Sequence, residues 1–516
     1  MSHIFPFFQF CIDQETPSPA PTSFVFDVVI VGSGWAGIAA AKTLHSKGIR
    51  NIKIVEAQNH IGGRSHSVPL SNGQLVDLGS SWVNRIGSSN DWNPIYKAVV
   101  DSGVPSTLER WHAATYMSYG DGTRLGVSLD RRVKEVYWNQ FMNYARDRQY
   151  TDQSESSVRD VADDYIKGSL MNDSELRVFE KLLDSRIATD YATSLEDLSI
   201  WWYNAGAGYS GGGQTHIVSS YGSVVGHYAS SLPQDVIQLN SVVTSINYQN
   251  DIVQIGYERE DESSHEINAK KVIVTVPLGV LKDNMISFQP KLPNDKLDAI
   301  NSLSMGTLDK CIFAWNHGTS VPWNSGWVQR IANDIDNQGK WTEFVSLDHS
   351  LGGRPILVGF AAGSNADELV ENADDLEVKQ TMLDALRSMF GTANVPEPDE
   401  VIVKRWKNDP YARGSYSNYP LGSSMYQRED LGSPVDAKLF FAGEATHMDY
   451  WATTHGALLS GVDAATDVSE SLARRTRTLR GGNIKNTSSN ERRKETKSSH
   501  QRPSETTPRR SINDRK

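Results

Sequence analysis

Phe24 to Val31 is an apolar, β-rich run interrupted only by Asp27 and predicts a buried parallel strand. "AGIAAAKTLHSKG" then predicts a helix ending at Gly48, and Ile52 to Val55 a second strand. Alternation in "VIQLNSVVTSINYQNDIVQIGYE" predicts hairpin strands, and Val272 to Val276, stopped by Pro277, predicts another strand. Residues 100–225 read mainly helical, with "DRRVKEVYWNQFMNYARDRQ" and "NDSELRVFEKLLDSRIATDY" amphipathic. Residues 300–400 mix strands ("KCIFAWN", "RPILVGFAAG") with a helix ("LEVKQTMLDALRSMFG"). A last apolar run, Leu439 to Ala442, stops at Gly443-Glu444, and a small-residue helix starts near Thr453-Thr454. The glycine-rich stretch 204–215 reads as a loop, and no internal repeat is present.

Length changes this picture first: 516 residues are too many for one core, so two or three domains are expected. No apolar run reaches the roughly 18 residues of a membrane span. "MSHIFPFFQFCIDQ" lacks a basic start and a small-residue cleavage site, so residues 1–23 read as a disordered leader. Two distant cysteines, Cys11 and Cys311, make neither a disulfide framework nor a thiolate metal site, which favours a reducing compartment. His447 and His455 have no acidic or cysteine partner at ligand spacing, so no metal is expected. Charge is asymmetric: Arg474 to Lys516 holds 14 Lys/Arg against 4 Asp/Glu, a net +10 within a chain of net −11. The acidic remainder attracts cations over long range. Residues 471–516 read as a basic disordered tail, either a solvated end or an address for an anionic or nuclear partner. An intracellular, cytoplasmic setting is expected, with the nucleus as the tail's alternative.

Candidate chemistry begins at the front. Gly32, Gly34 and Gly37 give G-x-G-x-x-G, with Ala36 beside the last, between a strand and a helix; Glu56 closes the second strand. Gly32 makes the tight turn, Gly34 admits a pyrophosphate, Gly37 lets helix and strand pack, and Glu56 can accept from a ribose. All five features in order identify a dinucleotide site.

Gly62-Gly63-Arg64, just beyond Glu56, resembles the FAD signature of glutathione-reductase-like flavoproteins and especially the flavin amine oxidases. "MGTLDKCIFAW", "WKNDPYARGSYSNYPLGS" and "FFAGEATHMDYWATTHGALLSG" resemble the polyamine oxidase branch, the last being close to spermine oxidases. The resemblance covers about residues 24–470. It implies an α/β fold: a Rossmann-like FAD-binding domain of 24–100, 225–300 and 400–470, interleaved with an α+β substrate-binding domain of 101–224 and 301–399. Gly63 and Arg64 are implied at the phosphates, Val243 at the adenine, and Ser81 and Trp82 on the flavin. Glu444 is implied at the ribityl hydroxyls, with Thr453 and Thr454 at the helix start facing the flavin pyrimidine edge.

Lys310 on periodicity alone reads as a lysine snorkelling to the surface; the resemblance makes it the lysine that holds a water against flavin N5. Tyr416 corresponds to an aromatic wall beside the flavin, or on residue type alone to a core tyrosine. Trp406 packs by the flavin or in the core. Ser415 stands where monoamine oxidases carry their FAD-linked cysteine, so FAD is expected to be non-covalent. Thr453 replaces a second aromatic, as in spermine oxidases. Asn84 replaces the acidic or histidine group that polyamine oxidases place at the tunnel mouth, and Asn84, Tyr416 and Thr453 are the expected substrate contacts. The implied reaction moves hydride from an amine α-carbon to the flavin, giving an imine that hydrolyses to aldehyde and amine, with molecular oxygen reduced to hydrogen peroxide. Partners are thus a polyamine or other cationic amine and oxygen, with no membrane and no nucleic acid required. Oxidation of simpler monoamines and a flavin-binding scaffold with a recruiting tail are the alternatives. A histone demethylase shares "ARGSYS" and "THGALLSG", but no room is expected for its extra N-terminal domain or helical-hairpin insertion.

Overall fold

The computed structural model describes residues 24–88, 91–109, 114–206, 213–217, 220–323, 326–333, 337, 339–347 and 354–479. The expected leader, most of the tail and the centre of the 204–215 loop lie outside them.

Val25–Val31 sits inside an eight-stranded sheet, paired in parallel with Ile52–Val55 on one side and Ser264–Val274 on the other. Alternation along this strand feeds two cores: Val28 and Ile30 face one, Val29 and Val31 the other. That two-sided burial is why the run carries no polar residue after Asp27. The helix Trp35–Ser46 covers the first face together with Thr454–Leu479. These helices touch closely, since a Cβ on Gly461 would lie 2.1 Å from the Ala36 carbonyl oxygen. The end of the chain is thereby brought back to its beginning. The strand Leu439–Phe441 joins the same sheet in parallel beside Ser264–Val274, delivering Gly443-Glu444 to the strands' carboxyl ends.

A second, six-stranded sheet runs in the order Glu400–Lys404, Leu308–Ala314, Ile356–Ala362, Glu343–Ser346, Gly326–Ile331, Ala114–Tyr119. The helix Asp375–Phe390 packs on it through Val378, Met382 and Leu386. A separate helical block, from Val127 to Tyr191, closes on Phe141, Phe179 and Trp138.

Two boundaries differ from expectation. Glu400–Lys404, assigned to the cofactor domain, pairs with Leu308–Ala314 (Lys310 opposite Lys404), so the chain crosses back only after that strand. The last helix continues past residue 470 to Leu479, because Val468 and Leu472 still pack on the first core and no glycine or proline interrupts it. The region 100–225 also contributes strands, Ser106–Glu109, Ala114–Tyr119 and Gln214–Ile217, the last pairing with Trp82–Val83. No helix among the described residues is long and apolar enough to cross a membrane.

Candidate functional site

A cavity with about 1230 Å³ of empty space runs along the carboxyl ends of the parallel strands. Gly32, Gly34, Ala36, Glu56, Gly63, Arg64, Val243, Trp406, Glu444, Thr453 and Thr454 all line it. The glycines divide the labour physically. Gly32 has φ +102°, and a Cβ on Gly37 would lie 2.0 Å from the Gly32 carbonyl oxygen, so both are demanded by the protein itself. A Cβ on Gly34 would meet no protein atom within 4 Å, so Gly34 keeps space clear in the cavity. The helix that starts after Gly34 has no side-chain cap and no acid in its first turn, leaving N–H groups for a phosphate. Glu56 Oε2 accepts from Ser33 N and Oγ (2.7 and 2.8 Å), and Oε1 from Gln58 N (2.8 Å). Gln58 Oε1, on the same wall, is buried with no hydrogen-bond partner. Cleared space, a bare helix start and an orphaned acceptor at the Glu56 end fit an FAD.

Glu444 knots the two chain ends together. Its Oε1 accepts from Arg64 Nη1 (3.0 Å) and Ser417 N (3.2 Å), its Oε2 from Ser417 Oγ (2.6 Å) and Ala452 N (2.9 Å). Burial raises its pKa, but Arg64, Arg428 and the Ser417 hydroxyl outweigh that and hold it below the usual carboxylate range. Arg64 Nη1 also donates to the Ser415 carbonyl (2.7 Å).

A second cavity, of about 1090 Å³, shares Arg64, Trp406, Ser415, Tyr416, Thr453 and Thr454 with the first. Lys310, Asn84, Ser81 and Trp82 line it. Ser81 and Trp82, expected on the flavin, line this second cavity, where the strand Trp82–Val83 pairs with Gln214–Ile217. Lys310 is 4% exposed and does not snorkel. Its Nζ donates to the carbonyls of Asp77 (3.1 Å) and Gly79 (2.6 Å) and to Ser81 Oγ (2.9 Å). An ammonium has three N–H groups, so all three are spent; a neutral amine instead offers a lone pair to a water. Burial lowers this lysine to about 8, with Asp77 opposing. Tyr416 donates its hydroxyl to the Thr189 carbonyl (2.9 Å). The aromatic surface that Thr453 does not supply comes from Trp82, Trp327 and Phe360, whose ring centroids lie 5.7–6.1 Å apart.

Two acids in this cavity escaped the sequence reading, Asp190 and Glu343. Asp190 follows a π-helical turn, Asp184–Ala188, and is exposed although it lies deep in the protein: the surface it presents is the cavity's. Burial, then the Glu343 charge, raise it to about 7, with Arg186 opposing. Glu343 is raised by burial against Lys181 (3.6 Å), Gln329 and Arg186. His455, also on the wall, is lowered to about 3 by burial and then His447, so it is neutral. Among the described residues no group of His, Cys, Asp and Glu could hold a metal ion.

Residues 35–469 match the model of the flavin-containing amine oxidoreductase family. Polyamine oxidase 5 of Oryza sativa subsp. japonica is 30% identical over 476 residues, 90% of each chain. A lysine-specific histone demethylase 1 homolog of the same organism is 29% identical over 470 residues, 88% of this chain but 58% of that one. Human lysine-specific histone demethylase 2 is 29% identical over 86% of this chain and 53% of its own. The chain therefore spans little more than half the length of these two demethylases. A putrescine oxidase double mutant with redesigned cofactor binding superposes with a TM-score of 0.67 at 18% identity, over 86% of this chain and 99% of that one.

Proposed function

The chain belongs to the flavin-containing amine oxidoreductases, and from that premise we propose that it is a polyamine oxidase, holding FAD without a covalent bond. It would oxidise a secondary amine of spermine, spermidine or an acetylated relative, yielding aldehyde, amine and hydrogen peroxide. The observation that carries this reading is the presence of Asp190 and Glu343 in the cavity of Lys310 and Tyr416. A polyamine brings ammonium charges away from the carbon that reacts, and a charge taken out of water needs a partner. Asn84 offers none; the two acids do.

Bound FAD supplies the hydride acceptor. The rest falls to side chains of this chain. Trp82, Trp327, Phe360 and Tyr416 confine the reacting amine in its neutral form and exclude bulk water. Asp190 ionises against a distal ammonium, releasing its proton on binding. Lys310, neutral above about 8, accepts a hydrogen bond from a water beside the reacting atoms and can take or return a proton there.

Asp190→Asn is expected to raise the KM for spermidine about 10–100-fold, the worth of a hydrogen bond to a charged group, and to leave benzylamine nearly unchanged in a peroxide assay. Because Asp190 ionises near 7, the wild-type KM for spermidine should fall as pH rises through that value, and the variant should lose this slope. Equal losses with both amines would make Asp190 structural and remove the support for polyamines. A methylated lysine is also a cationic amine, and the similarity to the demethylases favours it as the second reading. A monomethyl-lysine peptide in the same assay separates the two.

A further inference from the structure

Trp406 stands between the two cavities, and the segment carrying it hangs from two buried carboxyl groups. Three successive backbone N–H groups are involved. Trp406 N donates to Asp309 Oδ1 (2.9 Å), Lys407 N to Glu371 Oε1 (2.6 Å) and Asn408 N to Glu371 Oε2 (3.1 Å). Asn408 Nδ2 adds a bond to the Glu371 carbonyl (2.9 Å). Asp309 is fully buried and Glu371 7% exposed. Glu371 uses both oxygens as acceptors, as a carboxylate does. Asp309 uses one: its Oδ2 is buried and accepts nothing, and the successive N–H groups of Trp406 and Lys407 hold the Asp309 and Glu371 carboxyls side by side.

We propose that Asp309 and Glu371 share one proton, resident on Asp309 Oδ2 and donated to Glu371, and that this acid–carboxylate pair is the positioning device for Trp406. Two carboxylates in contact inside a protein cannot both ionise. The surrounding charges do not offer a substitute. Asp367, on the same helical turn as Glu371, is itself negative and pairs with Lys407 Nζ (2.8 Å). Lys404 pairs with Asp409 (2.5 Å). Arg405 is spent on Asp375 and the carbonyls of Val370 and Ala373. Lys310, next in sequence on the strand, is committed to Asp77, Gly79 and Ser81. Burial first, then Glu371, raise Asp309 to about 9, so the proton stays in place at neutral pH.

The consequence reaches the catalytic lysine. A Cβ on Gly79 would lie 2.9 Å from Trp406 Cζ2, so the indole abuts the backbone whose carbonyl holds Lys310. The native state keeps a proton that the unfolded chain loses near its ordinary carboxylate pKa. The pair's contribution to stability is therefore greatest at low pH, declines as pH rises and is gone above about 9. The inference rests on FAD in the first cavity and not on which amine reacts.

Asp309→Asn is the neutral isostere: its carbonyl accepts from Trp406 N and its amide donates to Glu371. Glu371→Gln instead leaves one of the two backbone N–H groups without an acceptor. FAD dissociation from the holoenzyme, followed by flavin fluorescence between pH 6 and 10, should match wild type within about twofold for Asp309→Asn at pH 7. At pH 10 Asp309→Asn should hold FAD more tightly than wild type, whose Asp309 is then ionised. Glu371→Gln should be about tenfold weaker across the range. The wild-type minus Asp309→Asn infrared difference spectrum should show a protonated-carboxyl carbonyl band, the Asp190 carboxyl common to both proteins cancelling out, a signal no merely structural role would move. Asp309→Asn weakened like Glu371→Gln at pH 7, or no protonated-carboxyl band in that difference spectrum, would overturn the proposal. Should Glu371→Gln not fold, the Asp309→Asn titration and the infrared band still decide it.

Discussion

Lys310→Met is expected to cut turnover by about 10²- to 10⁴-fold, the usual worth of a positioned acid–base group, while the protein stays yellow. The side chain has the right length to fill its slot but neither takes nor returns a proton. Lys310 in the native protein becomes neutral above about 8, well below the 10.5 of a free lysine. Wild-type turnover should therefore rise with pH through about 8, and the variant should lose that step while keeping the one due to the substrate amine. Stability has a matching sign. Between about 8 and 10.5 the unfolded chain binds a proton that the native state does not, so this group favours folding as pH rises. The measurement is turnover against pH for both proteins, with the flavin absorbance as the control for cofactor retention. A variant with intact flavin, undiminished turnover and an unchanged profile would mean that Lys310 only fills space.

Gly34→Ala should weaken FAD binding about 10- to 100-fold, corresponding to about 1–3 kcal/mol of overpacking, with little effect on the apoprotein. The new methyl group would meet no protein atom within 4 Å, so nothing in the apoprotein opposes it. Gly37→Ala is the contrasting case. Its Cβ would lie 2.0 Å from the Gly32 carbonyl oxygen, so the apoprotein itself must distort. Thermal unfolding of the two apoproteins and FAD titration of each separate the roles. Apo-Gly34→Ala should melt close to wild type and apo-Gly37→Ala markedly lower. A Gly34→Ala protein that binds FAD as wild type does would move the pyrophosphate away from this turn.

Parts of this site are legible in the chain and parts are not, for physical reasons. The turn at Gly32, Gly34 and Gly37 is local: strand, turn, helix and Glu56 lie within one short unit, so spacing alone reveals it. Lys310 is different. Inside a strand such as Leu308–Ala314 a lysine reads as a surface cation, and only the resemblance to a family marks it. Asp190 and Glu343 carry no local signal at all. One lies in the last turn of an interrupted helix and the other starts a short strand, and they meet only because the helical block and the second sheet face the same cavity. Ser81 and Trp82 line the second cavity through a small sheet whose partners lie far along the chain, an arrangement that no local spacing reveals. The boundary near 470 misleads for a related reason: polar, basic composition hides Val468 and Leu472, whose spacing keeps the last helix on the core.

Anaerobic mixing of the purified holoprotein with spermine, spermidine, their acetylated forms, a monomethyl-lysine peptide and benzylamine tests the proposed reaction most directly, because loss of the flavin absorbance reports the amine's oxidation itself. Bleaching by at least one polyamine, faster than by benzylamine or the peptide, is the expected result. A flavin that stays yellow with every polyamine would contradict it, and whichever of the other two amines bleaches it would then name the substrate class.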